Sequence, residues 1–287
     1  MQQRQLGQAD AALLEAFLSQ HRDSSMFLRS NAQRGGLEDH GRYLQATYVG
    51  SFRDGALVGV AAHCWNGMLL VQAPEAGLAE AVRAAVKRSR RGVNGFSGPL
   101  EQVQAAREAL GLDQVPTQLE ESESLFALQL SELIVPEALQ SGRVQCRAPL
   151  PSERELLADW RLAFDVESLG ATPSEAARKR SAGYLDAQLA EGNAWVVLAD
   201  GVPVSFSAFN AVLPDIVQLG GIYTPPEQRG RGYARASVAG SLLDARPRGA
   251  TRAVLFTKNP SAVRSYEAVG FRRIGDYGLV LLARPGL

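Results

Sequence analysis

Apolar residues occur at helical spacing in some segments of the chain and at strand-like spacing in others. Ala11 to Gln20 shows the helical spacing, whereas Thr47 to Phe52 and Leu57 to Cys64 have the composition and length of strands. Asp54-Gly55 stands between these two strands, and both residue types tolerate the positive φ of a tight hairpin turn. The order of segments predicts a mixed α/β protein.

The same order of segments returns in the second half of the chain. Strands predicted at Trp195 to Ala199 and at Val202 to Phe209 flank Asp200-Gly201, as the earlier pair flanks Asp54-Gly55. An ordered recurrence of this kind indicates an internal duplication, although hairpins also recur by chance in α/β proteins.

The boundary between the two copies is expected near Ser141-Gly142. A strand is predicted from Leu125 to Val135, and Pro149-x-Pro151 opens a new helix. We therefore predict two domains, residues 1–140 and residues 145–287.

A glycine-rich basic loop follows the strand predicted at Ile216 to Tyr223. Gly230 and Gly232 allow a close approach of the backbone to a ligand, and the helix after them offers free N–H groups and a positive dipole end. Arg229 and Arg231 add positive charge, so the loop predicts a pyrophosphate site. Taken alone, glycines between a strand and a helix more often form only a tight turn.

A second segment, Asn259 to Phe271, has the features of a short capped helix. Asn259 is a favourable N-cap, Pro260 suits the first helical position, and Gly270 suits the left-handed end. The spacing of apolar residues predicts that Tyr266 points inward.

Together these two segments resemble the GNAT superfamily of N-acyltransferases. Gln228 to Ala234 (QRGRGYA) is similar to the family's pyrophosphate motif, and Asn259 to Phe271 is similar to its N-x-x-A-x-x-x-Y-E-x-x-G-F helix. The resemblance covers the chain from about Gln145 onward. It implies two GNAT-like domains, each with a mixed, mostly antiparallel sheet flanked by helices, of which the N-terminal one is degenerate.

The resemblance also implies acetyl-CoA, or another acyl-CoA, as donor and a small or peptidic primary amine as acceptor. The expected cofactor-binding residues are the strand end, the loop and the helix cap: Ile222, Tyr223, Thr224, Gln228, Arg229, Gly230, Arg231, Gly232, Tyr233, Ala234 and Asn259. The alternative for Asn259 is that it only caps its helix and does not contact the cofactor. Gly220-Gly221 suits a bulge that separates this strand from its neighbour.

Tyr266 is the candidate general acid for the thiolate that leaves the donor. A buried tyrosine that only packs its helix against the sheet is the alternative. Glu167 is the candidate base on the acceptor side, with Asp165 and Asp215 also open, and Glu227 is expected to neutralise Arg229 or Arg231. The alternatives to an enzyme are a CoA-binding sensor or scaffold without turnover, and an oligomeric structural protein with an incidental loop.

The first half lacks the loop and the tyrosine. Arg107 corresponds to Tyr266, and Glu75 and Glu80 would oppose a pyrophosphate, so residues 1–140 are expected to be non-catalytic.

Composition narrows the class of function further. The chain has 30 basic and 30 acidic residues and a net charge of zero, which disfavours a general nucleic-acid binder. All three histidines (His21, His40, His63) lie in the first quarter, and the two cysteines are far apart, so no metal site is expected.

The apolar run Leu279 to Ala283 is too short for a membrane span. We expect a cytoplasmic protein without membrane partners, and a homodimer is possible.

Overall fold

The computed structural model describes residues 1–74 and 77–286, and these form two compact units. Unit 1 combines Met1–Leu125 with Gly275–Leu287, and unit 2 is Phe126–Ile274. No helix in the described parts of the chain is both long and apolar enough to cross a membrane.

The strands and helices follow the predicted α/β order. The strands are β1 Gln2–Gln5, β2 Ala46–Arg53, β3 Ala56–Cys64, β4 Met68–Gln72, β5 Val93–Pro99, β6 Thr117–Gln129, β7 Val144–Arg147, β8 Ala194–Ala199, β9 Val202–Val212, β10 Ile216–Tyr223, β11 Arg252–Thr257 and β12 Arg272–Gly286. The helices are α1 Ala11–Gln20, α2 Met26–Gly35, α3 Leu78–Ser89, α4 Leu100–Ala109, α5 Glu137–Gln140, α6 Arg154–Leu169, α7 Glu175–Ala190, α8 Tyr233–Ala245 and α9 Pro260–Glu267.

The order of strands repeats within the fold. The strands form two series with the same order, β1-β2-β3-β4-β5-β12 and β7-β8-β9-β10-β11-β6. The fourth and fifth strands of each series are parallel (β4 with β5, β10 with β11), and the hairpins before them are antiparallel. The hairpin turns also match, since Asp54 (φ 50°) and Asp200 (φ 51°) both have a left-handed backbone conformation. The predicted fold class, a mixed and mostly antiparallel sheet flanked by helices in two copies, is confirmed.

The compact units differ from the predicted ranges 1–140 and 145–287 because of the last strand of each copy. β12 pairs with β5 from Tyr277↔Pro99 to Leu281↔Gly95, and Val280 and Leu282 pack in the core of unit 1. The C-terminal strand therefore belongs to the N-terminal unit. β6 runs over Thr117–Gln129, earlier than the strand predicted from Leu125 to Val135, and its end joins unit 2.

The sheet of unit 2 is covered on both faces. On one face, Trp195, Val217 and Leu255 pack with residues of α8 and α9. On the other face, Val196 and Phe206 pack with residues of α6 and α7. β10 contacts both α6 and α8.

Candidate active site

A break in the regular pairing of β10 marks the site. The register with β9 shifts between Gly220↔Ala208 and Tyr223↔Phe206, and Gly221 has φ +63°. This confirms the bulge expected at Gly220-Gly221. On its other side, β10 pairs with β11 only from Ile216↔Arg252 to Gln218↔Val254, although both strands continue. The two parallel strands thus separate towards their carboxyl ends.

The loop after β10 presents backbone donors at this opening. Pro226–Gln228 forms one 3-10 turn, and left-handed glycines follow at Gly230 (φ +78°) and Gly232 (φ +82°), the latter capping α8. Among the described residues, no acceptor is bonded to the six consecutive N–H groups of residues 230–235. Donors of this kind at a helix N-terminus form an anion site.

The opening leads into a cleft of about 620 Å³, a volume typical of small-molecule sites. It is lined by Phe164, Glu167, Ser168, Ile222, Tyr223, Thr224, Gln228, Arg229, Gly230, Gly232, Tyr233, Ala234, Arg235, Asn259, Ser261, Ala262, Arg264, Ser265 and Tyr266. Tyr266 and Glu167 both line it, and of the expected cofactor-binding residues Arg231 alone does not, since its side chain is exposed.

Helix α9 brings a tyrosine to the cleft. The Oδ1 atom of Asn259 accepts hydrogen bonds from the backbone N–H groups of Ser261 (2.9 Å) and Ala262 (3.3 Å), which caps the helix as predicted. Tyr266 is 8% exposed, and its ring centroid lies 6.2 Å from that of Phe271. The ring is therefore held by packing while its residue borders the cleft.

A carboxylate and a guanidinium meet at another wall of the cleft. Glu167 lies in the last turn of α6. Its Oε2 accepts a hydrogen bond from Nη2 of Arg229 at 2.7 Å, and its Oε1 accepts one from the hydroxyl of Tyr223 at 3.2 Å. Arg229 is thus neutralised by Glu167, whereas the sequence pointed to Glu227. Burial first, and then the nearby Glu167, raises the pKa of Tyr223.

The other two acid candidates lie elsewhere. Asp165 is buried, where it accepts hydrogen bonds from Nε of Arg161 (3.0 Å) and from the hydroxyl of Ser181 (2.5 Å). Asp215 precedes β10, at the end of the strand opposite the cleft. Neither lines the cleft.

Several lining residues were not found from the sequence, among them Phe164, Ser168, Arg235, Ser261, Arg264 and Ser265. The sequence positions of Arg235 and Arg264 could have indicated a role at the site. Arg235 directly follows the glycine-rich loop, and Arg264 lies on the helix that carries Tyr266. Those of Phe164 and Ser168 could not, because only the packing of α6 brings them to β10.

The corresponding segment of unit 1 is built differently. Arg107, the counterpart of Tyr266, is 7% exposed and forms an ion pair with Glu120 at 2.7 Å. Gly77 (φ +104°) precedes α3, and Glu80 lies in its first turn, while Glu75 lies outside the described residues. Over the described chain, no group of three or more His, Cys, Asp or Glu residues could hold a metal ion.

Comparisons with known proteins agree with this geometry. The model of the acetyltransferase (GNAT) family matches residues 156–271. A protein named acetyltransferase Atu2258, from Agrobacterium fabrum, is 40% identical over 57 residues, which are 20% of this chain and 42% of that protein. The chain thus spans less than half the length of that relative.

Solved structures show the same fold at low identity. A GCN5-related N-acetyltransferase from Sphaerobacter thermophilus is 16% identical, with a TM-score of 0.60 over 100% of this chain and 96% of that one. A tandem GNAT protein from the clavulanic acid biosynthesis pathway is 12% identical, with a TM-score of 0.52 over 100% and 99%. Residues 156–271 thus match the acetyltransferase (GNAT) family, and the chain shares its fold with a tandem GNAT protein.

Proposed function

We propose that this chain is an N-acyltransferase that moves an acetyl or other short acyl group from acyl-CoA to a primary amine. One observation carries the proposal: the unbonded N–H groups, Tyr266 and Glu167 all border a single cleft. The family match to residues 156–271 supports it.

The donor end of the cleft would be the loop before α8. A pyrophosphate needs several hydrogen-bond donors close together. The N–H groups of residues 230–235 donate to no acceptor within the described residues, so they can bind it without breaking another hydrogen bond. Ile222, Tyr223 and Thr224 would lie along the pantetheine arm, since their strand has parted from β11. Asn259 uses Oδ1 as a helix cap, so its amide NH₂ group remains to contact the donor.

Tyr266 would act as the general acid. A thioester donor supplies an activated acyl group, and the sulfur needs a proton when its bond to the acyl carbon breaks. Unit 2 contains no histidine, and Tyr266, which lines the cleft, carries an O–H group. A positioned acid contributes about 10²–10⁴ in rate.

Glu167 would serve the amine. A primary amine is protonated at neutral pH and therefore reaches the cleft as an ammonium cation. Glu167 is the carboxylate that borders the cleft. It would attract the ammonium group and accept its proton, which leaves the neutral amine as nucleophile. This role requires Arg229 to move from Glu167 towards the donor's phosphates.

The proposal is tested by thiol release from acetyl-CoA with a panel of small amines and peptide N-termini, comparing wild type with Tyr266→Phe. We expect kcat to fall about 10²–10⁴-fold with CoA affinity unchanged. Tyr184→Phe is the matched control, because Tyr184 is 49% exposed on α7 and does not line the cleft.

Two results would contradict the proposal in different ways. CoA binding without thiol release from any amine would favour a sensor or scaffold. Absence of CoA binding would reject the donor assignment itself.

A further inference from the structure

The cleft carries more positive charge than its own carboxylate can neutralise. Three arginines line it, Arg229, Arg235 and Arg264, against one carboxylate, that of Glu167. Arg229 is paired with Glu167. Arg235 and Arg264 form no ion pair with any described residue, so the charge of both is available to a ligand.

Both unpaired arginines belong to the elements that hold the donor end. Arg235 lies in the first turn of α8, and its Nη2 lies 3.0 Å from where a Cβ on Gly232 would be, so the guanidinium folds back beside the glycine loop. Arg264 lies on α9, where Nη2 reaches the hydroxyl of Ser261 at 3.4 Å, a weak contact. Glu167, in contrast, belongs to α6.

The charge of the cleft is therefore divided, with free cations on α8 and α9 and the carboxylate on α6. Within the proposed function, the N–H groups of residues 230–235 take the pyrophosphate. Two further guanidinium groups match a further dianion, because arginine binds phosphate through paired, charge-assisted hydrogen bonds. Coenzyme A has one such group, the 3′-phosphate of its ribose.

Resting on that proposed function, we propose that Arg235 and Arg264 form a subsite for the 3′-phosphate and make the chain selective for CoA over 3′-dephospho-CoA. The two ligands share the pyrophosphate and the pantetheine arm, so their difference in affinity measures what the 3′-phosphate contributes to binding.

Calorimetric titration of the full chain with CoA and with 3′-dephospho-CoA tests the inference without any need for turnover. We expect wild type to bind CoA about tenfold to a hundredfold more tightly, the range for hydrogen bonds to a charged group. Arg235→Gln and Arg264→Gln should each reduce that ratio by weakening CoA and leaving 3′-dephospho-CoA unchanged. Arg180→Gln is the control, because it removes one charge from an exposed position on α7 outside the cleft.

Equal affinities in wild type, or a ratio that neither variant changes, would overturn the inference and leave the proposed function standing. Failure to bind either ligand would instead reject the proposed function. If the variants raise KM for carboxylate-bearing amines while the ratio persists, the two arginines serve an acidic acceptor, which also overturns the subsite.

Discussion

Arg229 donates a hydrogen bond to Glu167 at 2.7 Å and, through Nε, to the carbonyl oxygen of Thr224 at 2.9 Å. One side chain of the glycine-rich loop thus contacts both the end of β10 and the end of α6. Its guanidinium also lies 5.7 Å from the ring centroid of Tyr223, whose hydroxyl donates to the same carboxylate. The glycine-rich loop and Glu167 are therefore electrostatically linked.

This link predicts different effects of the two substitutions on CoA affinity. Arg229→Gln should weaken CoA binding about tenfold, because it removes a cation and leaves the charge of Glu167 facing the phosphates. Glu167→Gln should leave CoA affinity equal or slightly tighter while kcat falls. Calorimetry and steady-state kinetics on the two variants separate these effects, and a loss of CoA affinity in Glu167→Gln would contradict the assignment.

The same pair should contribute little to folding. Arg229 and Glu167 are 49% and 44% exposed, so their coupling in a double-mutant cycle should stay below about 1 kcal/mol. Urea unfolding of both single variants and the double variant measures it. A coupling well above that value would show that the pair is a structural element of unit 2.

Gly232 combines a left-handed conformation with a position at the cleft. Gly232→Ala should cost about 1–2 kcal/mol of stability and also lower CoA affinity, because a Cβ there would meet Arg235 at 3.0 Å. Gly201→Ala is the matched control, since Gly201 has φ +77° and an added Cβ meets nothing within 4 Å. The control should lose similar stability and keep its affinity; an equal loss of affinity in both would point to a global effect.

The cap of α9 should matter for both stability and turnover. Asn259→Ala removes the acceptor for the N–H groups of Ser261 and Ala262 and should cost about 1 kcal/mol. Because α9 positions Tyr266, kcat should fall as well. Asn259→Asp keeps the capping oxygen and should retain stability. If this variant loses as much stability as Asn259→Ala, the amide group of Asn259 has the larger role.

His63 should give unit 1 a pH-dependent stability. Burial first, and then the charge of Arg91, lowers its pKa from 6.5 to about 4. In the unfolded chain His63 therefore binds a proton below about pH 6.5, whereas in the folded chain it binds one only below about pH 4. Stability should fall as the pH falls through that window, by up to about 3 kcal/mol. Urea unfolding at several pH values measures this, and the slope should flatten in His63→Gln; an unchanged slope would assign it to other groups.

The pairing of β12 with β5 makes unit 1 depend on the end of the chain. Val280 is 3% exposed within the core of unit 1, so Val280→Ala should cost about 2 kcal/mol. Hydrogen exchange should then accelerate in β5 and leave β10 unchanged. Ile274→Ala, at a residue 46% exposed, is the control. Faster exchange confined to unit 2 would contradict the division of the chain into these units.

The sequence by itself determined several of the elements and the local motifs. Asp54-Gly55 and Asp200-Gly201 define their hairpins, Asn259 caps its helix, and Gly230 and Gly232 adopt positive φ, because each depends on the backbone preferences of a few adjacent residues. The periodicity that turned Tyr266 inward is local in the same sense.

Only the tertiary structure decided what depends on distant segments. The pairing of β12 with β5 and of β6 with β11 depends on hydrogen bonds between residues far apart in the chain, so no local pattern shows it. The choice of Glu167 over Glu227 as the partner of Arg229 follows from the packing of α6 against β10. The charge of the cleft is likewise a property of three helices and one loop together, because electrostatic energies depend on distances that only the fold establishes.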